Sequence, residues 1–125
     1  MDRLSFSRPL VIVVDDDPAV RGSLTFSLEL DGFDVEAFES GEALLARTLT
    51  NRPTCLVIDQ KLAGISGLEA LRQLRARHID SPAILITTHP QPALLAEARA
   101  AGVRVIEKPL LGDGLLRDIH RALDT

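Results

Sequence analysis

The sequence predicts an open, doubly wound α/β sandwich built on a five-stranded parallel sheet. Three observations point there. Five short apolar or β-branched runs occur at 10–14, 33–38, 55–58, 83–86 and 103–106. Segments with helical spacing lie between them. The first, third and fourth runs are continuously apolar, as strands covered by helices on both faces must be. Strands alternating with helices pair in parallel through right-handed crossovers. For five strands the order 2-1-3-4-5 is a common solution, giving a flavodoxin-like sandwich of three layers.

Residues 1–9 are polar overall and carry no apolar stretch, so they read as a short lead and not as a secretory signal. The first strand runs into Asp15, Asp16 and Asp17, and Asp17 can cap a helix whose first position is Pro18. Val20, Leu24 and Leu28 then recur every four residues. Gly32 follows that stripe, where a left-handed residue closes a helix. In the second strand Phe33, Val35 and Ala37 alternate with Asp34 and Glu36, which suggests a sheet edge. Pro53 precedes the third strand and Asp59 follows it. Ser66 with Glu69 has capping-box spacing, opening a helix along Leu68, Leu71 and Leu74 that ends before Pro82. The fourth strand runs into Thr87. A stripe of Leu94, Leu95, Ala98 and Ala101 then leads to Gly102. The fifth strand runs into Glu107, Lys108 and Pro109, and Leu115, Leu116, Ile119 and Leu123 mark the last helix.

The 125 residues suit one domain, 1–125, with no output domain in this chain. Apolar residues make up 46% and charged residues 26%, a globular balance. A formal net charge of −4 gives no pull toward nucleic acid or anionic membrane, so neither is expected as a direct partner. No apolar run approaches the ~20 residues a membrane span needs. The single cysteine, Cys55, excludes an internal disulfide, fits a cytoplasmic location and is expected to be a small buried residue. His78, His89 and His120 show no metal spacing.

The informative feature is where the polar residues fall. Buried strands end in Asp15 and Asp16, in Asp59, in Thr87 and in Lys108. In a parallel sheet those ends share one edge, adjacent strands lie about 4.8 Å apart, and ligands bind there. Taken singly, each residue has a plain explanation: a helix N-terminus, a turn residue, a strand-end hydroxyl, a surface lysine. Taken together they make a pocket. Clustered carboxylates repel one another, and a hard divalent cation such as Mg²⁺ relieves that repulsion through oxygen ligands. With Lys108 beside the cation, the pocket suits a phosphoryl group. A carboxylate can attack phosphorus while lysine and Thr87 stabilise the equatorial oxygens.

These residues resemble the receiver domain of two-component response regulators. The resemblance runs from about Leu10 to Leu123. It rests on Val13-Val14-Asp15-Asp16-Asp17, on Val57-Ile58-Asp59-Gln60-Lys61-Leu62 with Gly64-Ile65-Ser66-Gly67, on Ile84-Leu85-Ile86-Thr87 and on Glu107-Lys108-Pro109. The wording is most similar to receivers attached to helix-turn-helix output domains. The resemblance implies Asp59 as phosphoacceptor, Asp16 as a direct Mg²⁺ ligand and Asp15 as a mostly water-mediated one. It implies the Lys61 carbonyl as a further ligand, Lys108 as the phosphoryl partner before a cis Pro109, and Thr87 as the reporter. It also implies a histidine kinase or small phosphodonor as the source, control of transcription as the output, and self-catalysed phosphorylation without turnover as an enzyme. The first helix near Val20 and Leu24 would dock the kinase. The face of 92–101, 103–106 and 115–123 would serve readout and possible homodimerisation.

Three places depart from the family pattern. Val105 stands where an aromatic is usual, Ala63 where a proline is common, and the segment after Thr87 reads Thr88-His89-Pro90-Gln91-Pro92. Lys61 and His89 are expected to shield an aspartyl-phosphate from water. Two other functions fit parts of the sequence. In a haloacid-dehalogenase-like phosphatase Asp15 would be nucleophile and Asp17 acid/base, although Ala19 stands where that family expects Thr or Val. A pseudo-receiver would bind partners without phosphorylation.

Overall fold

The computed structural model describes residues 8–47, 52–110 and 112–124. Of the polar lead at 1–9, all but the last two residues lie outside that range. The elements, in chain order, are β1 (Leu10–Val14), α1 (Pro18–Leu30), β2 (Asp34–Phe38), α2 (Gly41–Ala46), β3 (Thr54–Asp59), α3 (Gly67–Ala76), β4 (Ala83–Thr87), α4 (Pro92–Ala100), β5 (Arg104–Glu107) and α5 (Gly114–Leu123). The five strands form one sheet in the order β2-β1-β3-β4-β5, every pair parallel. The expected fold and strand order are therefore the observed ones, with β2 at an edge.

The alternation of side chains along each strand splits the core in two. Leu10, Ile12 and Val14 of β1 point to the face covered by α2, α3 and α4, where Leu44, Leu71, Leu74 and Ala98 meet them. Val11 and Val13 point to the opposite face, packed with Leu28 of α1 and Ile119 of α5. Both faces of the central strands are buried, which is why β1 and β3 read as unbroken apolar runs.

Two strands start one residue later than the sequence reading, for one reason. Phe33 and Val103 do not open β2 and β5, because their N–H groups are spent on the preceding helices. Gly32 (φ 98°) and Gly102 (φ 71°) turn the chain left-handed after α1 and α4. Phe33 then donates to Leu28 O and Val103 to Ala98 O, while the glycines donate to Glu29 O and Arg99 O. These are Schellman closures, which satisfy the last helical carbonyls. A third closes α3 through His78, at φ 63°, a conformation normally left to glycine. Helix starts follow the expected caps: Asp17 accepts from Ala19 N–H and Ser66 from Glu69 N–H.

Candidate functional site

The carboxyl ends of β1, β3, β4 and β5 lie side by side, and the ladders continue one step past them. Asp15 N–H donates to Phe38 O, Gln60 N–H to Ile86 O and Lys108 N–H to Thr87 O. Asp15, Asp59, Thr87 and Lys108 are therefore fixed at the sheet edge by strand pairing and not by a free loop. Asp59 and Thr87 are the last residues of β3 and β4, and Asp15 follows β1 directly. The Lys108–Pro109 peptide is cis.

The side chains meet. Lys108 Nζ lies 3.0 Å from Asp59 Oδ1 and 3.9 Å from Asp15 Oδ2. One carboxylate oxygen from each of Asp15, Asp16 and Asp59 falls within 4.8 Å of the others. Asp15 and Asp59 are buried, and Asp16 is exposed at the rim. A cleft of about 600 Å³ opens over the cluster, lined by Asp15, Asp16, Asp17, Asp59, Lys61, Thr87, Thr88, His89 and Lys108. The candidate site residues Asp15, Asp16, Asp59, Lys61, Thr87 and Lys108 thus line one cleft. Asp17 contributes a rim residue whose Oδ1 is occupied capping α1.

The electrostatics follow from burial and from like charges held close together. Burial pushes the Asp59 carboxyl above the ordinary carboxylate range; Lys108 opposes the rise, and the charges of Asp15 and Asp16 add to it. Burial alone would lower Lys108, but its hydrogen bond to Asp59 and the three nearby carboxylates outweigh that and raise it. One ammonium faces three acidic groups, so negative charge is in excess. The donor set is all oxygen, and two carboxylates are withdrawn from water. This is the chemistry that a hard divalent cation completes.

Several supporting contacts were not readable from the sequence. Arg21 of α1 donates from Nη1 to Asp15 O at 2.7 Å, gripping the chain where it leaves β1. Asp17 N–H donates to Asp15 Oδ1 at 2.9 Å, which orients that carboxylate. Leu68 N–H donates to Gln60 Oε1 at 2.8 Å. Gly67 must be glycine, since a Cβ there would sit 2.5 Å from Asp59 O. These contacts go to main-chain atoms, so residue type and spacing do not announce them. Of the departures, Val105 is half-buried against the core on the α4 side, and Ala63 is exposed in the loop after Asp59.

The profile of the "Response regulator receiver domain" matches residues 11–120. The transcriptional regulatory protein FixJ of Rhizobium meliloti is 41% identical over 113 residues, which cover 90% of this chain and 55% of that protein. The C4-dicarboxylate transport transcriptional regulatory protein DctD of Pseudomonas aeruginosa is 36% identical over 115 residues, covering 91% of this chain and 25% of that protein. The chain therefore spans about half or less of these relatives. Among solved structures, FixJ-N superposes with a TM-score of 0.84 at 38% identity, covering 95% of this chain and 96% of that one. The response regulator TrrA of Thermotoga maritima, solved in complex with Mg²⁺ and BeF, superposes with a TM-score of 0.80 at 28% identity, covering 92% and 99%. The match along the chain, the fold and the meeting of strand-end aspartates with one lysine agree: the chain belongs to the response regulator receiver domain family.

Proposed function

We propose that this chain is a Mg²⁺-dependent phosphoswitch with Asp59 as phosphoacceptor. The observation that carries the reading is the contact of Lys108 Nζ with Asp59 Oδ1 at 3.0 Å beside two further carboxylates. Asp15 and Asp16 would hold the ion with Asp59 and the Lys61 carbonyl, Asp15 mostly through water. When bound, the ion supplies charge neutralisation for the phosphoryl oxygens. An Asp59 carboxylate oxygen attacks phosphorus, the new O–P bond forms as the donor's bond breaks, and the donor leaves with the electron pair. Lys108 pairs with the transferred group, and Thr87 donates a hydrogen bond to it from the end of β4. The donor is a histidine kinase or a small phosphodonor. A cleft of about 530 Å³ lined by Val20, Leu24, Pro109 and Leu110 beside the site suits the kinase's docking. The readout face is α4, β5 and α5, and the output, by analogy with the transcriptional regulators above, is transcription.

The phosphatase reading needs the Asp17 carboxylate as acid/base, and its cap contact to Ala19 N–H disfavours that. A pseudo-receiver would not require Asp15, Asp16, Asp59 and Lys108 in one cluster. Incubation with Mg²⁺ and acetyl phosphate, read by intact-mass spectrometry, tests the proposal. The parent gains one phosphoryl group and Asp59→Asn gains none. Uptake by Asp59→Asn that vanishes in Asp15→Asn would overturn it.

A further inference from the structure

We propose that Glu42 is a positioning residue for the loop at 60–66, supplying from α2 the restraint that Ala63 does not. The inference rests on the Mg²⁺ reading of the site and names a residue outside the cleft.

The loop leaves β3 at Asp59 and enters α3 at Gly67. Its ends are closed by Gln60, whose carbonyl accepts from Gly67 N–H at 3.0 Å and whose Oε1 accepts from Leu68 N–H at 2.8 Å. Its outer turn has a separate anchor. Ile65 N–H donates to Glu42 Oε2 at 3.0 Å. Gly64, at φ 85°, lets the backbone come against that carboxylate: a Cβ there would lie 2.8 Å from Oε1 and nearer still to Oε2. The Ile65 side chain seats on Gly41, where a Cβ would fall 2.9 Å from Ile65 Cγ1. Lys61, Leu62 and Ala63 therefore span a segment pinned at both ends. The Lys61 carbonyl, assigned above to the metal, sits within that span.

Ala63 is exposed, and its N–H takes part in none of the loop's hydrogen bonds. A proline there would restrict the backbone without losing a bond. The Glu42 tie is the restraint this loop has instead. The plainer role for Glu42 is charge complementarity in the first turn of α2. The two roles separate on substitution. Gln keeps an acceptor for Ile65 N–H and loses the charge, whereas Ala loses both.

The test compares Glu42→Ala, Glu42→Gln and Glu42→Ala with Ala63→Pro, each checked for a parent-like circular dichroism spectrum. Mg²⁺ affinity is read by titration calorimetry, since the chain has no Trp or Tyr. Ile65 amide exchange is read by NMR. Glu42→Ala is expected to weaken Mg²⁺ by ~3- to 10-fold, the range of one modest hydrogen bond. It also speeds Ile65 exchange. Glu42→Gln stays near the parent in both readouts. Adding Ala63→Pro recovers most of the Mg²⁺ affinity and leaves Ile65 unprotected. The proposal is overturned if Glu42→Ala binds Mg²⁺ as the parent does, if Glu42→Gln matches Glu42→Ala, or if the proline recovers nothing. A parent that takes no Mg²⁺ would overturn the metal reading as well, and the parent titration alone identifies that case.

Discussion

Asp59 shows how one residue's surroundings set its chemistry. It sits at the buried end of β3, paired with Ile86 of β4, and burial keeps its carboxyl above the ordinary range. A raised folded-state value gives stability that is full below the unfolded value and is lost as pH rises through the folded one. The Asp59 contribution to the metal-free protein's stability therefore falls as pH climbs from about 4 upward. Lys108, also raised, adds a contribution that is present throughout that range and lost only above about 10. Asp59→Asn removes the ionised carboxylate, so in EDTA at pH 7 it is expected to melt above the parent. Saturating Mg²⁺ narrows that gap by stabilising the parent more than the variant, which lacks one carboxylate ligand. A variant that melts lower in EDTA would mean that the Lys108 contact outweighs the burial. Lys61 and His89 line the same cleft. If they shield the aspartyl-phosphate, Lys61→Ala and His89→Ala shorten its half-life by ~2- to 5-fold, about 0.4–1 kcal/mol of barrier. Unchanged half-lives in both would end that role.

At the scale of elements, the helix ends decide where strands begin. The Schellman closures after α1 and α4 take the N–H groups of Phe33 and Val103, so both apolar runs start one residue before their strands. The glycines announce these closures, but the third, at His78, has no such mark. A non-glycine residue held at φ 63° carries strain that glycine would not. His78→Gly is expected to stabilise the protein by ~0.5–1 kcal/mol, read as a Tm higher by roughly 2–6 °C. A lower Tm would show that the His78 side chain contributes more than its backbone costs. Within β3, burial pushes the Cys55 thiol up to about 12, so a thiol reagent such as DTNB is expected to react only as the domain unfolds. The sheet was legible because it repeats one rule, an apolar strand ending in a polar group. The four clustered side chains were legible because strand ends are dictated by that rule. The contacts of Arg21, Glu42 and Gln60 were not, because each is made with a backbone atom 6 to 23 residues away, which any side chain with the right reach could meet. The short α2, with six residues, offered too few turns for a periodic stripe.

Across the whole molecule, the site and the proposed readout face are joined through one edge of the sheet. Lys108 N–H donates to Thr87 O at 2.8 Å, which ties the ends of β4 and β5 together. The usual aromatic is replaced by Val105, which lies opposite Leu85 across the ladder and is half-buried on the α4 side. A valine has no large swing to make, so in the proposed switch the coupling passes through backbone and helix displacement instead. α4 is suited to give way. It buries only Ala98, its N-cap Gln91 makes no side-chain capping bond, and Leu95 on its surface is 42% exposed. Elements with little burial open first. A phosphoryl group at Asp59 that favours one α4 arrangement would change which apolar surface is presented, to the extent of its differential binding to the two states. Mg²⁺ with beryllofluoride is therefore expected to shift the chain toward a dimer in size-exclusion chromatography, more so at higher concentration. Leu95→Asp, a charge placed in the proposed interface, should hold it monomeric while phosphoryl uptake by mass spectrometry stays at the parent level. A dimer that persists in Leu95→Asp would move the interface to another face. A monomer in the parent under saturating beryllofluoride would mean that α4, β5 and α5 address a different partner.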